Sequence, residues 1–312
     1  MQSDLTVEPD TAPRLVGALR DDECRNILAV LAGASLELSS RDPAEIDACA
    51  GLLEQGTAVY ISMPPGQTYH GNVALATRLR RAGFRPVPHV AARRIASRHA
   101  LEEYLARAAG EAGVDSALVI GGDSDRPSGP FDSSHALLET GLFQRHGVVN
   151  LGVAGYPEGH PKIAEADLET ALTAKKALAR AAGLDLQVVT QFCFESGPIL
   201  AWAAKMKGHG LPVRVGLSGP ASLPRLLRFA ALCGIGNSVR ALKTRPLAIT
   251  RLLVEAGPEA VVRDIARADD AAIAGVHFFC FGGLLRTARW LRAVREGRFE
   301  LTPDGGFRVG AA

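Results

Sequence analysis

Eight short runs of apolar, often β-branched or aromatic residues alternate with segments of helical periodicity along the 312 residues, and several of the runs end in polar turns rich in Gly or Pro. Such alternation predicts a parallel sheet. Right-handed crossovers close eight units of this kind into a (β/α)8 barrel, an α/β fold that takes roughly 250 residues. The competing arrangement, an open doubly wound sheet, would carry Gly-x-Gly-x-x-Gly after its first strand. No such turn follows the first run here.

In chain order, residues 1–20 read as a loose polar lead-in before a first helix over 21–31. Strands are expected at 34–39, 58–63, 86–91, 116–123, 148–154, 186–192, 212–217 and 276–281. Each is bounded by Gly, Pro or Ser, as buried parallel strands are. Helices are expected at 43–53, 72–82, 100–112, 136–143, 168–182, 198–206 and 223–232, where apolar residues fall three and four apart. The stretch 238–270 exceeds one crossover helix and predicts one or two extra helices before the last strand. One catalytic barrel then spans 21–300, with 301–312 as a C-terminal tail.

Composition fits a single domain with a large core, at 47% hydrophobic and 22% charged residues. A net charge of +2 offers no footprint for nucleic acid or an anionic membrane. No apolar run is long enough to span a bilayer, and the polar start is unlike a signal peptide. The five cysteines show no Cys-x-x-Cys pairing, so neither a metal site nor a disulfide framework is implied and a cytoplasmic setting is expected. The oligomeric state, a homo-oligomer included, stays open.

Catalytic groups of such barrels collect at the carboxyl ends of the strands. There the chain places Glu37, His89, Asp123, the Tyr156 to His160 turn and Gln191. Glu37 stands between Leu36 and Leu38, so alternation sends Ser35, Glu37 and Ser39 to one polar face in the barrel mouth. Desolvation there is expected to raise its pKa toward the general-acid range, the alternative being a Glu bonded to loop amides. Asp123 follows Gly121 and Gly122, which let a ligand approach the backbone, or it caps a tight turn. Gln191 can donate to and accept from a heterocycle edge. His277 is read as structural, at the start of the last strand.

Together these residues resemble the methylenetetrahydrofolate reductases, from about 35 to 292. Ser35-Leu36-Glu37-Leu38 is similar to the family's Ser-Phe-Glu-Phe, and Gly121-Gly122-Asp123 to its Arg-Gly-Asp. Tyr156-Pro157-Glu158-Gly159-His160-Pro161 matches its Tyr-Pro-Glu-x-His-Pro turn. Thr190-Gln191-Phe192-Cys193-Phe194 matches its Thr-Gln-Phe-Phe-Phe strand, and Pro88-His89 and Phe229 fall where the family has them.

The resemblance implies an FAD-dependent oxidoreductase interconverting 5,10-methylene- and 5-methyltetrahydrofolate, with NADH or NADPH as co-substrate. It implies Glu37 as the acid and Asp123 as the charge beside flavin and pterin. Gln191, Phe229 and Arg286 would bind the folate. His89, Gly122, Asp123, Ser133, Ser134, Tyr156 and His160 would contact FAD, with Lys175 or Lys176 near its phosphates. The chain departs from the pattern at Gly121, at Met63-Pro64-Pro65 and at Gly283, where the family has Arg, Thr-Tyr-Gly and Arg. Two other readings stand beside it: a folate-binding barrel without flavin, as carrier or partner subunit, and a barrel lyase or aldolase. The second would need a Lys at a strand end, and none is there.

Overall fold

Strands β1 (Ser35–Leu38), β2 (Ala58–Ile61), β3 (Arg85–Ala91) and β4 (Ser116–Ile120) pair in parallel and in sequence order. They continue into β5 (Asn150–Gly155), β6 (Asp185–Phe192), β7 (Val213–Ser218) and β8 (Ile273–Phe279). β8 returns to β1, with Ser35 in register with His277 and Glu37 with Phe279, so the sheet is closed. The expected barrel is the barrel found. This computed structural model describes residues 12–38, 44–64, 66–232 and 257–310, and side chains from residue 21 onward outside 230–256.

The helices are α1 (Ala12–Leu31), α2 (Ala44–Cys49), α3 (Tyr69–Arg81), α4 (Arg98–Ala112), α5 (Ser134–Leu138) and α6 (Leu142–Arg145). α7 (Glu165–Ala181), α8 (Ser196–Met206), α9 (Leu223–Leu232), α10 (Glu259–Ala268) and α11 (Leu284–Arg295) complete the described set. α4 shows how sequence sets the bounds. Ser97 caps its first turn by accepting from the Ala100 amide, and Gly113 ends it in the left-handed conformation at φ 58°. Between these stops Leu101, Tyr104, Leu105, Ala108 and Ala112 form one buried stripe at helical spacing.

The core has two layers. Strand residues such as Leu36, Val59, Val90, Val119 and Val153 pack outward against the helices. Ala58, Tyr60, Val87, Leu118 and Val189 fill the lower interior of the barrel.

Several bounds differ from the sequence expectation. α1 begins at Ala12, so part of the presumed lead-in is helix. The expected helix over 136–143 is two short ones, broken where Gly141 takes φ 68°. Of the stretch 238–270, the described part is α10, and 238–256 lie outside the described residues. The expected tail carries a hairpin, β9 (Phe299–Leu301) with β10 (Phe307–Val309). Among the described residues no helix is long and apolar enough to cross a membrane.

Candidate functional site in the barrel mouth

Strand alternation turns Ser35, Glu37, Tyr60, His89 and His277 into the barrel from β1, β2, β3 and β8. Glu37 is 8% exposed, His89 8% and His277 0%. The Oε2 atom of Glu37 lies 3.4 Å from Nε2 of His89 and 3.6 Å from Nε2 of His277. All three atoms are buried with no hydrogen-bond partner, and they face one another. The other nitrogen of His277 lies 3.0 Å from the Ser35 hydroxyl. Tyr60 forms the floor, its ring centroid 4.4 Å from that of His277 and 6.1 Å from that of His89.

This cluster corrects two expectations. His277 is the fifth residue of β8, not its start, and it touches the candidate acid. Burial does act to raise the Glu37 pKa, but His89 and His277 act against it and leave the carboxyl below its ordinary value. Burial pushes the His89 imidazole below its ordinary value, opposed by Glu37. The protonation of Glu37 is therefore set by its imidazole neighbours as well as by its burial.

On one side of the mouth stands an aromatic wall. Phe192 packs edge-on against Phe194 and Phe281, with centroids 5.5 and 4.7 Å away. Phe229 of α9 stacks on Phe281 at 4.3 Å and 16°. Its face toward Phe281 is thus already covered, and a ligand would meet the other face. Gln191 is half-buried on β6, where the pairing with β7 shifts between Val189 and Phe192. In this irregularity the Gly216 amide donates to the Thr190 hydroxyl at 2.8 Å.

Opposite lies the Gly121-Gly122-Asp123 turn. Gly122 takes φ 93°, a conformation that favours glycine. β4 ends at Ile120, so Asp123 lies beyond the strand that was expected to include it. Its side chain is 69% exposed and accepts a hydrogen bond from Arg94 at 2.7 Å. The charge expected beside the chemistry is matched by a guanidinium.

The expected cofactor contacts divide in the same way. Tyr156 and His160 pack edge to face at 4.9 Å. His160 accepts from the Lys162 amide through Nδ1, and burial, Lys162 and Arg93 lower its pKa. The Ser133 hydroxyl caps α5, and Ser134 is buried behind it. α5 packs against α7, which carries Lys175 and Lys176. Lys175 is half-buried, and desolvation alone pulls its pKa down. No carboxylate among the described residues pairs with it.

Arg286 lies on α11 beside a cavity of about 590 Å³, bordered by Glu45, Arg289, Trp290 and Pro220. Gly283 sits at φ 106°, and a Cβ there would meet Glu45 Oε1 at 2.8 Å. A side chain is strained at that point, and Arg286 supplies a guanidinium one turn later. Among the described residues no group of three or more His, Cys, Asp or Glu side chains is arranged to hold a metal ion. Burial pushes the thiols of Cys49, Cys193 and Cys280 up to about 12, so none is a resting thiolate.

Sequence reasoning missed His277, Tyr60 and Phe281. Strand alternation could have found the first, since His277 and Phe279 share the inner face of β8.

No family model matches the chain. Among solved structures, dihydropteroate synthase from Thermus thermophilus aligns over 85% of this chain and 92% of its own, at 16% identity and a TM-score of 0.43. A mandelate racemase/muconate lactonizing enzyme-like protein from Rubrobacter xylanophilus aligns over 89% of this chain and 59% of its own, at 14% and 0.41. A conserved protein of unknown function from Enterococcus faecalis aligns over 84% and 65%, at 10% and 0.44.

Proposed function

We propose that the barrel is an enzyme of the methylenetetrahydrofolate reductase type, moving a proton and a hydride on a reduced folate. The observation that carries this reading is the Glu37, His89 and His277 cluster, buried at the barrel mouth with its polar atoms facing inward. Opening the five-membered ring of methylene-tetrahydrofolate requires a proton at the leaving nitrogen, and a buried carboxylate with two imidazoles can deliver or remove one. Water exclusion by the Phe229 and Phe281 wall strengthens every charge interaction at that point. Gln191 would read the pterin edge, the outer face of Phe229 would stack on the ligand, and Arg286 would meet the folate tail's carboxylates.

The donors on the α5 and α7 side fit an anionic cofactor. A half-buried ammonium without a carboxylate partner is stabilised by a phosphate, and Lys175 is such a group. Tyr156, His160, Lys175 and Lys176 would hold FAD, while Gly122 lets it approach the backbone. FAD, when bound, supplies the hydride acceptor and donor that no side chain provides. His89 and Ser133 contribute through their backbones in this reading, because ring and hydroxyl are committed to Glu37 and to the α5 cap.

Replacing Glu37 by Gln keeps the shape and removes the titrating group. NAD(P)H is expected still to bleach bound flavin, while folate-dependent turnover falls by about 10²-fold. Undiminished folate turnover would make Glu37 structural. A second reading, a folate-binding barrel without flavin, is favoured by the pairing of Asp123 with Arg94. The visible spectrum after incubation with excess FAD separates the two: absorbance near that of a flavin supports the first, a colourless protein the second.

A further inference from the structure

Three buried polar atoms that face one another without hydrogen bonds are costly unless each serves the others. We propose that His277, anchored by Ser35, is a positioning residue that holds Glu37 as a carboxylate and leaves its second oxygen to exchange a proton with the ligand. This rests on the reading of Glu37 as the proton-transfer group. Ser35 and His277 are both fully buried, on adjacent strands in register. When the Ser35 hydroxyl donates to Nδ1 at 3.0 Å, the ring's single proton sits on Nε2 and points at Glu37 Oε2, 3.6 Å away. Closing by about half an ångström makes this an ordinary N–H···O bond. His89 reaches the same oxygen from β3. His89 and His277 also act on each other electrostatically, and the rings of Tyr60 and Phe279 lie against the His277 imidazole at 4.4 and 4.9 Å. No proton is lost or gained by His277 in this role.

The test reads Glu37 directly, without folate. Infrared difference titration follows the protonated carboxyl band that Glu37→Gln abolishes. His277→Leu removes the donor and is expected to raise the Glu37 pKa by about one unit or more. His277→Gln, whose amide can donate to the same oxygen, is expected to restore most of that shift. Should His277→Leu not fold, Ser35→Ala keeps the ring but frees its tautomer. The nitrogen chemical shifts of His277 should then show loss of the fixed Nε2–H form, with a smaller rise for Glu37. A Glu37 titration unmoved in the His277 variants, or a His277 tautomer unchanged in Ser35→Ala, overturns the proposal. A shifted titration in a protein inactive on folate keeps the proposal and overturns the folate reading.

Discussion

Asp123 and Glu37 are both carboxylates near strand ends, and the structure treats them oppositely. Glu37 is enclosed and faces two imidazoles, whereas Asp123 is largely exposed and bound to Arg94. An exposed ion pair contributes at most about 1 kcal/mol to stability. A double-mutant cycle of Asp123→Asn with Arg94→Gln, read by urea unfolding, should therefore give a coupling below about 1 kcal/mol. A larger value would mean that the pair anchors the loop after β4. At Glu37 the chemistry is in the environment, and its opposing influences were not visible in Ser35-Leu36-Glu37-Leu38 alone. The motif identified the carboxylate. Its imidazole neighbours arrive from positions 89 and 277, and only barrel closure brings them to it.

At the scale of elements, close packing decides where glycine is required. A Cβ at Gly216 on β7 would lie 2.3 Å from the Thr190 carbonyl oxygen and 2.8 Å from the Phe279 ring. Gly216→Ala must push β6 and β7 apart at the irregular pairing below Gln191, at a cost of about 3 kcal/mol. Gly110 in the last turn of α4 has nothing within 4 Å of the same added atom. Gly110→Ala is expected to stabilise the protein by about 0.5 kcal/mol through helix propensity, less than at a helix centre. Thermal unfolding of the two variants should move in opposite directions. Helix existence was legible in the sequence because apolar stripes repeat every three or four residues. The split between α5 and α6 was not, since it depends on the conformation of Gly141.

For the molecule as a whole, Arg263 joins three parts of the chain. It donates to both carboxylate oxygens of Glu23 on α1 at 2.7 and 3.0 Å, and to the Thr302 carbonyl beside the hairpin at 2.7 Å. The side chains of Arg263 and Glu23 are 9% and 17% exposed. Removing Arg263 leaves Glu23 to Arg267 alone and strips the Thr302 and Gly306 carbonyls of their donor, so Arg263→Leu should cost roughly 1–3 kcal/mol. The hydrogen bond from Arg263 lowers the Glu23 pKa beneath its ordinary 4.5, outweighing burial, with Arg267 adding to the effect. Its folded pKa is depressed, so the stabilisation is complete above about that pH and is lost as pH falls further through the folded value. Urea midpoints measured from pH 6 downward should fall in the parent below about 4.5, and fall less in Glu23→Gln. Equal slopes would remove Glu23 from acid lability.

The sequence by itself determined the barrel. Eight apolar runs alternating with amphipathic helices can bury their faces only by closing on one another. It also marked Glu37, Tyr156, His160 and Gln191, because polar side chains at the ends of apolar strands stand out locally. Tertiary structure alone decided which side chains these residues meet and how their burial shifts the titrating ones. His277 joins Glu37 because the last strand returns beside the first, pairing Ser35 with His277 242 residues later in the chain. Asp123 turns to Arg94 because the strand stops three residues before it. Proton affinity follows distance and burial, and both are properties of the closed barrel.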